Sequence, residues 1–159
     1  MGEVMHMKLT HKCFLPMNKL SESNIVRLYN FLYLFEKEIS NGFGTLNLSD
    51  NNLKTFTEKE KVLLGSMCQT NEKKISSFKY FILWDDTKPS AFKAISGNDS
   101  AYNLLRHIRN SIAHGNIFSE NRQKFAMEDY NKANKVSMKG KISNKLFFQL
   151  IDIIVATKH

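Results

Sequence analysis

The chain has 159 residues, 42% of them hydrophobic and 24% charged, which is enough for one domain with its own core and too few for two. Two prolines and seven glycines leave no linker or low-complexity tail, and no apolar run reaches the roughly 18 residues of a membrane span. The net charge of +8 attracts polyanions and inclines the reading towards nucleic acid without requiring it.

The first stretch, MGEVMHMKLTHKCFLP, lacks the apolar core of a signal peptide, and His6 stands where a myristoylation site has Ser or Thr. A cytoplasmic location is expected, with residues 1–18 as an N-terminal segment on a single domain spanning 1–159. Cys13 and Cys68 are the only cysteines, so neither a disulfide framework nor a thiolate metal cluster is expected.

A helix is predicted from about Ser21 to Ile39, capped by Ser21 or Ser23 and ended by Asn41-Gly42 and Gly44. Ile25, Leu28, Phe31, Leu32, Phe35 and Ile39 give it one wide apolar face. A shorter helix is expected from about Thr57 to Met67, with Thr57 and Glu60 as a capping box. The run between Lys73 and Asp85, dense in Phe78, Tyr80, Phe81, Ile82, Leu83 and Trp84, suits a buried helix or a strand. It is read here as helix, broken at Lys88-Pro89.

The next helix opens at Asn98, Asp99 or Ser100. Ala101, Leu104, Leu105, Ile108 and Ile112 follow helical spacing without a fault, and Gly115 is a natural stop. Between Lys124 and Ile142, two short strands with a turn around Asn131 to Asn134 are expected. A last helix, Ser143 to Ala156, is apolar nearly all round and needs covering by its own domain or by a second copy. The fold class expected is therefore mainly α, with a short β-hairpin before the last helix.

Residues 106 to 116, RHIRNSIAHGN, hold two arginines, two histidines and two asparagines, and no Asp, Glu or Lys occurs from Ala101 to Phe118. At about 100° per residue, Arg106, Asn110 and His114 lie opposite the apolar face, with Asn103 and His107 beside them. Arg109 sits at the border, about 140° around from His114, so the two are not neighbours on a continuous helix. A histidine in the last turn suits general acid–base work, and an arginine can hold a phosphate and the charge that builds on it. Metal-free cleavage of RNA by the adjacent 2′-hydroxyl is compatible with this set. So is a plainer reading, in which Arg109 pairs with a carboxylate such as Asp99, Glu128 or Asp129.

Arg109-Asn110-Ser111-Ile112-Ala113-His114, followed by Gly115, resembles the signature of the HEPN superfamily, small all-helical proteins named for higher eukaryotes and prokaryotes nucleotide-binding. The likeness is carried by about Ala101 to Ile117. It implies a bundle of four to five helices, with the hairpin as a departure reminiscent of a small bacterial branch. It also implies a homodimer whose paired motifs line one cleft, and Arg109 and His114 as catalytic pair. Asn110 would orient His114 or the phosphate, and Arg106 and His107 would be supporting RNA contacts. No cofactor or metal is called for. The function implied is a metal-independent endoribonuclease, a toxin or defence effector leaving 2′,3′-cyclic phosphate and 5′-hydroxyl ends, with an antitoxin or modifying enzyme as a further partner. The alternatives are a non-catalytic HEPN module that binds nucleotide, RNA or protein, and a helical interaction protein in which the motif is structural.

Overall fold

The computed structural model describes residues 20–41, 46–67, 79–84, 93–94, 98–120 and 123–157. The N-terminal segment 1–18, Cys13, Cys68, Gly42, Gly44 and Lys88-Pro89 lie outside them.

Ser21 is the N-cap of helix α1 (Glu22–Lys37), its hydroxyl accepting the Asn24 N–H at 3.2 Å. Leu28, Phe31 and Phe35 bury its inner face, and a single 3-10 turn, Ile39–Asn41, follows. Helix α2 (Asn51–Glu60) begins earlier than its sequence indicates, because Asp50 caps it by accepting the Asn52 and Leu53 N–H groups at 2.9 and 3.2 Å. It also ends earlier. Lys61 takes a left-handed φ of 57° and turns the chain directly into strand β1 (Val62–Met67). The helix expected over Thr57 to Met67 is thus half helix and half strand. Thr57 does not cap it, and donates to the Lys54 carbonyl at 3.0 Å.

Strands β2 (Lys79–Trp84) and β3 (Lys93–Ala94) precede helix α3 (Asn98–Ala113). Strands β4 (Ile117–Glu120), β5 (Lys124–Tyr130) and β6 (Val136–Ser143) lead to helix α4 (Asn144–Ala156). The strands form one six-stranded sheet in the order β3-β1-β2-β6-β5-β4, with β1 and β2 parallel and every other pair antiparallel. The expected mainly-α bundle is therefore overturned: the described helices stand with a six-stranded mixed sheet.

Strand β2 explains the misreading. Phe81 is fully buried among the helices, while its neighbours Tyr80 and Ile82 are buried on the opposite face with Leu63 and Trp84 packed against them. A strand covered on both faces shows no alternation, and its continuous apolar run has no period to distinguish it from a buried helix. Residues 73–78 and 85 of the expected helix lie outside the described residues.

The hairpin stands where it was expected. Asn131 closes its turn by accepting the Ala133 and Lys135 N–H groups at 2.9 and 3.0 Å, and Asn134 takes a left-handed φ of 63°. It is no insertion into a bundle, since β6 pairs with β2 on its other side and sits inside the sheet. Phe81 faces Gly140 across that pair, and a Cβ on Gly140 would lie 2.3 Å from Cε1 of the ring. Only glycine leaves the ring its place.

The helices cover one face of the sheet. Phe147 and Phe148 of α4 meet Phe125 of β5 edge-on, with centroids 5.5 and 5.8 Å away. Leu146, Phe147, Phe148, Leu150, Ile151 and Ile154 are all buried in the common core, so α4 is covered by its own domain. No described helix is long and apolar enough to cross a membrane.

Candidate functional site

Helix α3 buries Ala101, Leu104, Leu105, Ile108 and Ile112 as its spacing requires, and leans on α1 through Tyr102 and Phe35, 5.7 Å between ring centroids. Its end is closed by two reversed hydrogen bonds, Gly115 N–H to Ile112 O at 3.1 Å and Asn116 N–H to Ser111 O at 2.7 Å. That closure needs a left-handed residue, which Gly115 supplies with φ 73°. His114 is the residue just before this turn. Its side chain is exposed and hydrogen-bonds to none of the described residues.

From Gly115 the chain passes at once into β4. The Glu128 N–H donates to the Asn116 carbonyl at 3.1 Å and ties the helix end to β5. Strand β5 directs Phe125, Met127 and Asp129 towards the helices, all buried. The first two are core residues, and the third is a carboxylate aimed at α3.

Asp129 Oδ2 lies 2.7 Å from Nδ1 of His107 and accepts from Asn110 Nδ2 at 3.3 Å, while Oδ1 accepts the Tyr130 N–H at 3.0 Å. Burial by itself would push this carboxyl up. The hydrogen bonds of His107 and Asn110 and the Tyr130 N–H together hold it below its ordinary value. Arg106 Nη2 donates to Asn103 Oδ1 at 2.7 Å and lies 3.3 Å from His107 Nε2. Arg109 Nη1 donates to Asn110 Oδ1 at 2.9 Å, and its Nε and Nη2 both grip Oε1 of Glu36 on α1, at 2.6 and 2.5 Å.

One hydrogen-bonded row therefore runs from Asn103 through Arg106, His107, Asp129, Asn110 and Arg109 to Glu36. It unites four of the five residues singled out in the sequence: Arg106, His107, Arg109 and Asn110. It does not include His114. His107 is buried at 9% exposure and bound to β5, not displayed on the surface. The carboxylate that Arg109 finds is Glu36, whereas Glu128 is engaged by Tyr130 and by Lys139 at 3.6 Å. Among the described residues no group of three or more His, Cys, Asp or Glu side chains is placed to hold a metal ion.

Sequence reading missed the roles of Glu36 and Asp129. Asp129 does leave a trace, because it occupies the inward position of an alternating strand where Phe125 and Met127 predict a third apolar residue. Glu36 leaves none, standing among the polar residues at the end of an ordinary amphipathic helix.

The family model described as HEPN pEK499 p136 matches residues 17–158 of the chain. No curated protein and no solved structure matches it significantly.

Proposed function

Because the chain belongs to the HEPN pEK499 p136 family, we propose that it is a metal-independent endoribonuclease, acting as a toxin or defence effector. The observation that carries this reading is the complete Arg109-to-His114 motif at the closed end of α3, backed by a second arginine at Arg106. Arg106 and Arg109 are the cations that an RNA backbone requires, and the carboxylates Glu36 and Asp129 stand in the same row. Arg109 would hold the scissile phosphate and the charge that grows on it. His114, exposed and uncommitted, would take the proton of the 2′-hydroxyl or return one to the departing 5′-oxygen. The products would be a 2′,3′-cyclic phosphate and a 5′-hydroxyl.

Arg109 and His114 are not joined within one chain. A homodimer with both motifs in one cleft would supply the missing partner, and light scattering at micromolar concentration tests it: a monomer counts against the shared cleft. The all-round apolar α4 no longer argues for that dimer, since its own domain buries it.

A second reading is a non-catalytic HEPN module that binds RNA, nucleotide or protein. What favours it is the closed state of Arg109, whose guanidinium is held by Glu36 and Asn110. Incubation of purified protein with varied RNAs in EDTA decides between them. Cleavage lost in both His114→Ala and Arg109→Ala, with cyclic-phosphate ends, supports the nuclease. No cleavage of any RNA by the wild-type protein supports the binding module.

A further inference from the structure

Asp129 is costly where it stands. Its residue is 2% exposed, in the same inward row of β5 as Phe125 and Met127, where an apolar side chain would satisfy the core without any partner. A buried carboxylate survives there only because three donors converge on it. Two of the three come from the motif helix, and both meet a single oxygen, Oδ2. The fold alone does not require this arrangement.

The chemistry of the three donors says what it achieves. An ionised carboxylate only accepts hydrogen bonds, whereas an asparagine amide can lie either way round. Facing Asp129, Asn110 must present its NH2 group, which turns its carbonyl oxygen outward to Nη1 of Arg109, 2.9 Å away. With the amide reversed, an NH2 group would face a guanidinium and Arg109 would lose that anchor. His107 is fixed in the same way. Arg106 Nη2 can only donate and Asp129 can only accept, so Nδ1–H points to Asp129 and the Nε2 lone pair to Arg106. One buried charge thus sets the direction of every hydrogen bond between the two arginines.

We propose that Asp129 is a positioning residue for the RNA-cleaving site: by accepting from His107 and Asn110 it fixes two of the four acceptors that aim the guanidinium groups of Arg106 and Arg109, the others being Asn103 and Glu36. This rests on the nuclease reading of the Arg109–His114 motif. Asp129 touches no substrate and acts through its two neighbours on α3.

The test compares wild type, Asp129→Leu and Asp129→Asn, each checked by circular dichroism and assayed below its melting temperature. Leucine removes the acceptor, while asparagine can still offer a carbonyl oxygen to His107 and Asn110 and serves as the rescue. Cleavage of a fluorophore-labelled single-stranded RNA of mixed sequence is read as kcat and KM separately. The Nε–H signal of Arg109, assigned with Arg109→Lys, is followed by 15N NMR. The leucine variant should lose kcat by roughly 10- to 100-fold, with KM changed much less, and should shift or broaden the Arg109 signal. The asparagine variant should recover most of both. A folded leucine variant with wild-type kcat and an unmoved Arg109 signal overturns the proposal. So does a loss of kcat that follows the melting temperatures of the two variants alike. Should the leucine variant not fold, Asp129→Ser, whose hydroxyl is too short to reach His107 and Asn110, takes its place: a loss of kcat with a displaced Arg109 signal supports the role, and neither overturns it. If the wild type cleaves no RNA, the nuclease reading fails by itself, and the Arg109 signal still shows whether Asp129 aims the arginine.

Discussion

Glu36→Gln removes one negative charge and keeps the shape of the side chain that holds Arg109. The Glu36 and Arg109 side chains are 51% and 32% exposed, and exposed ion pairs contribute only about 0–1 kcal/mol to stability, so folding should change by less than about 1 kcal/mol. Binding should respond more. A phosphate that takes Nε and Nη2 of Arg109 must displace Oε1 and then sit near the displaced carboxylate. Two unit charges about 6 Å apart repel by about 0.7 kcal/mol even at the dielectric constant of water. Together with the lost competition for Arg109, the gain should be about 1–1.5 kcal/mol, or roughly tenfold in affinity at low salt. At physiological ionic strength the Debye length is about 8 Å, and the gain should shrink to severalfold. The assay is fluorescence anisotropy of a labelled single-stranded RNA at two salt concentrations, in a His114→Ala background that suppresses cleavage, with urea unfolding alongside. Unchanged or weaker RNA binding with unchanged stability would refute the idea that Glu36 stands in the path of the phosphate.

The carboxyl of Asp129 is held below its ordinary value of 3.8 in the folded chain, so its contribution to stability is full above that value and disappears as pH falls through the depressed one. The stability difference between wild type and Asp129→Asn should therefore shrink as pH falls below about pH 4, as read by urea unfolding; growth of the difference in acid contradicts the assignment. Gly140→Ala must push the Phe81 ring aside, which should cost about 1–3 kcal/mol, and an unchanged melting temperature would mean that the ring is not where it is described. Phe147→Ala removes a fully buried ring that meets Phe81, Phe125 and Phe148, and calorimetry should show a loss of about 3–5 kcal/mol.

The features legible in the sequence were those set by local chemistry. Ser21 caps its helix because a hydroxyl there meets a free amide, and Gly115 ends α3 because its turn needs a left-handed residue. The apolar face of α3 and the turn at Asn131 follow from spacing and from side-chain reach in the same way. What stayed hidden depends on partners distant in the chain. Val62 to Met67 is a strand because Lys79 to Trp84 lies parallel beside it, and nothing in its own six residues names that partner. The site divides similarly. Arg109, Asn110 and His114 were visible as a motif, whereas Glu36 on α1 and Asp129 on β5 reach it only through the tertiary fold.

The place of β6 inside the sheet also governs when the site can exist. Strand β2 leaves the ribosome long before β6, and until Gly140 arrives opposite Phe81 the inner edge of β2 has no partner from that side. Helix α3 and strand β5 emerge in that interval, carrying Arg109, His114 and Asp129, with β5 paired only to β4. A nascent chain halted before Val136 has the motif and Asp129, but no β6 to tie β5 to the rest of the sheet. The ordered site therefore comes into being only once β6 and α4 have joined the fold.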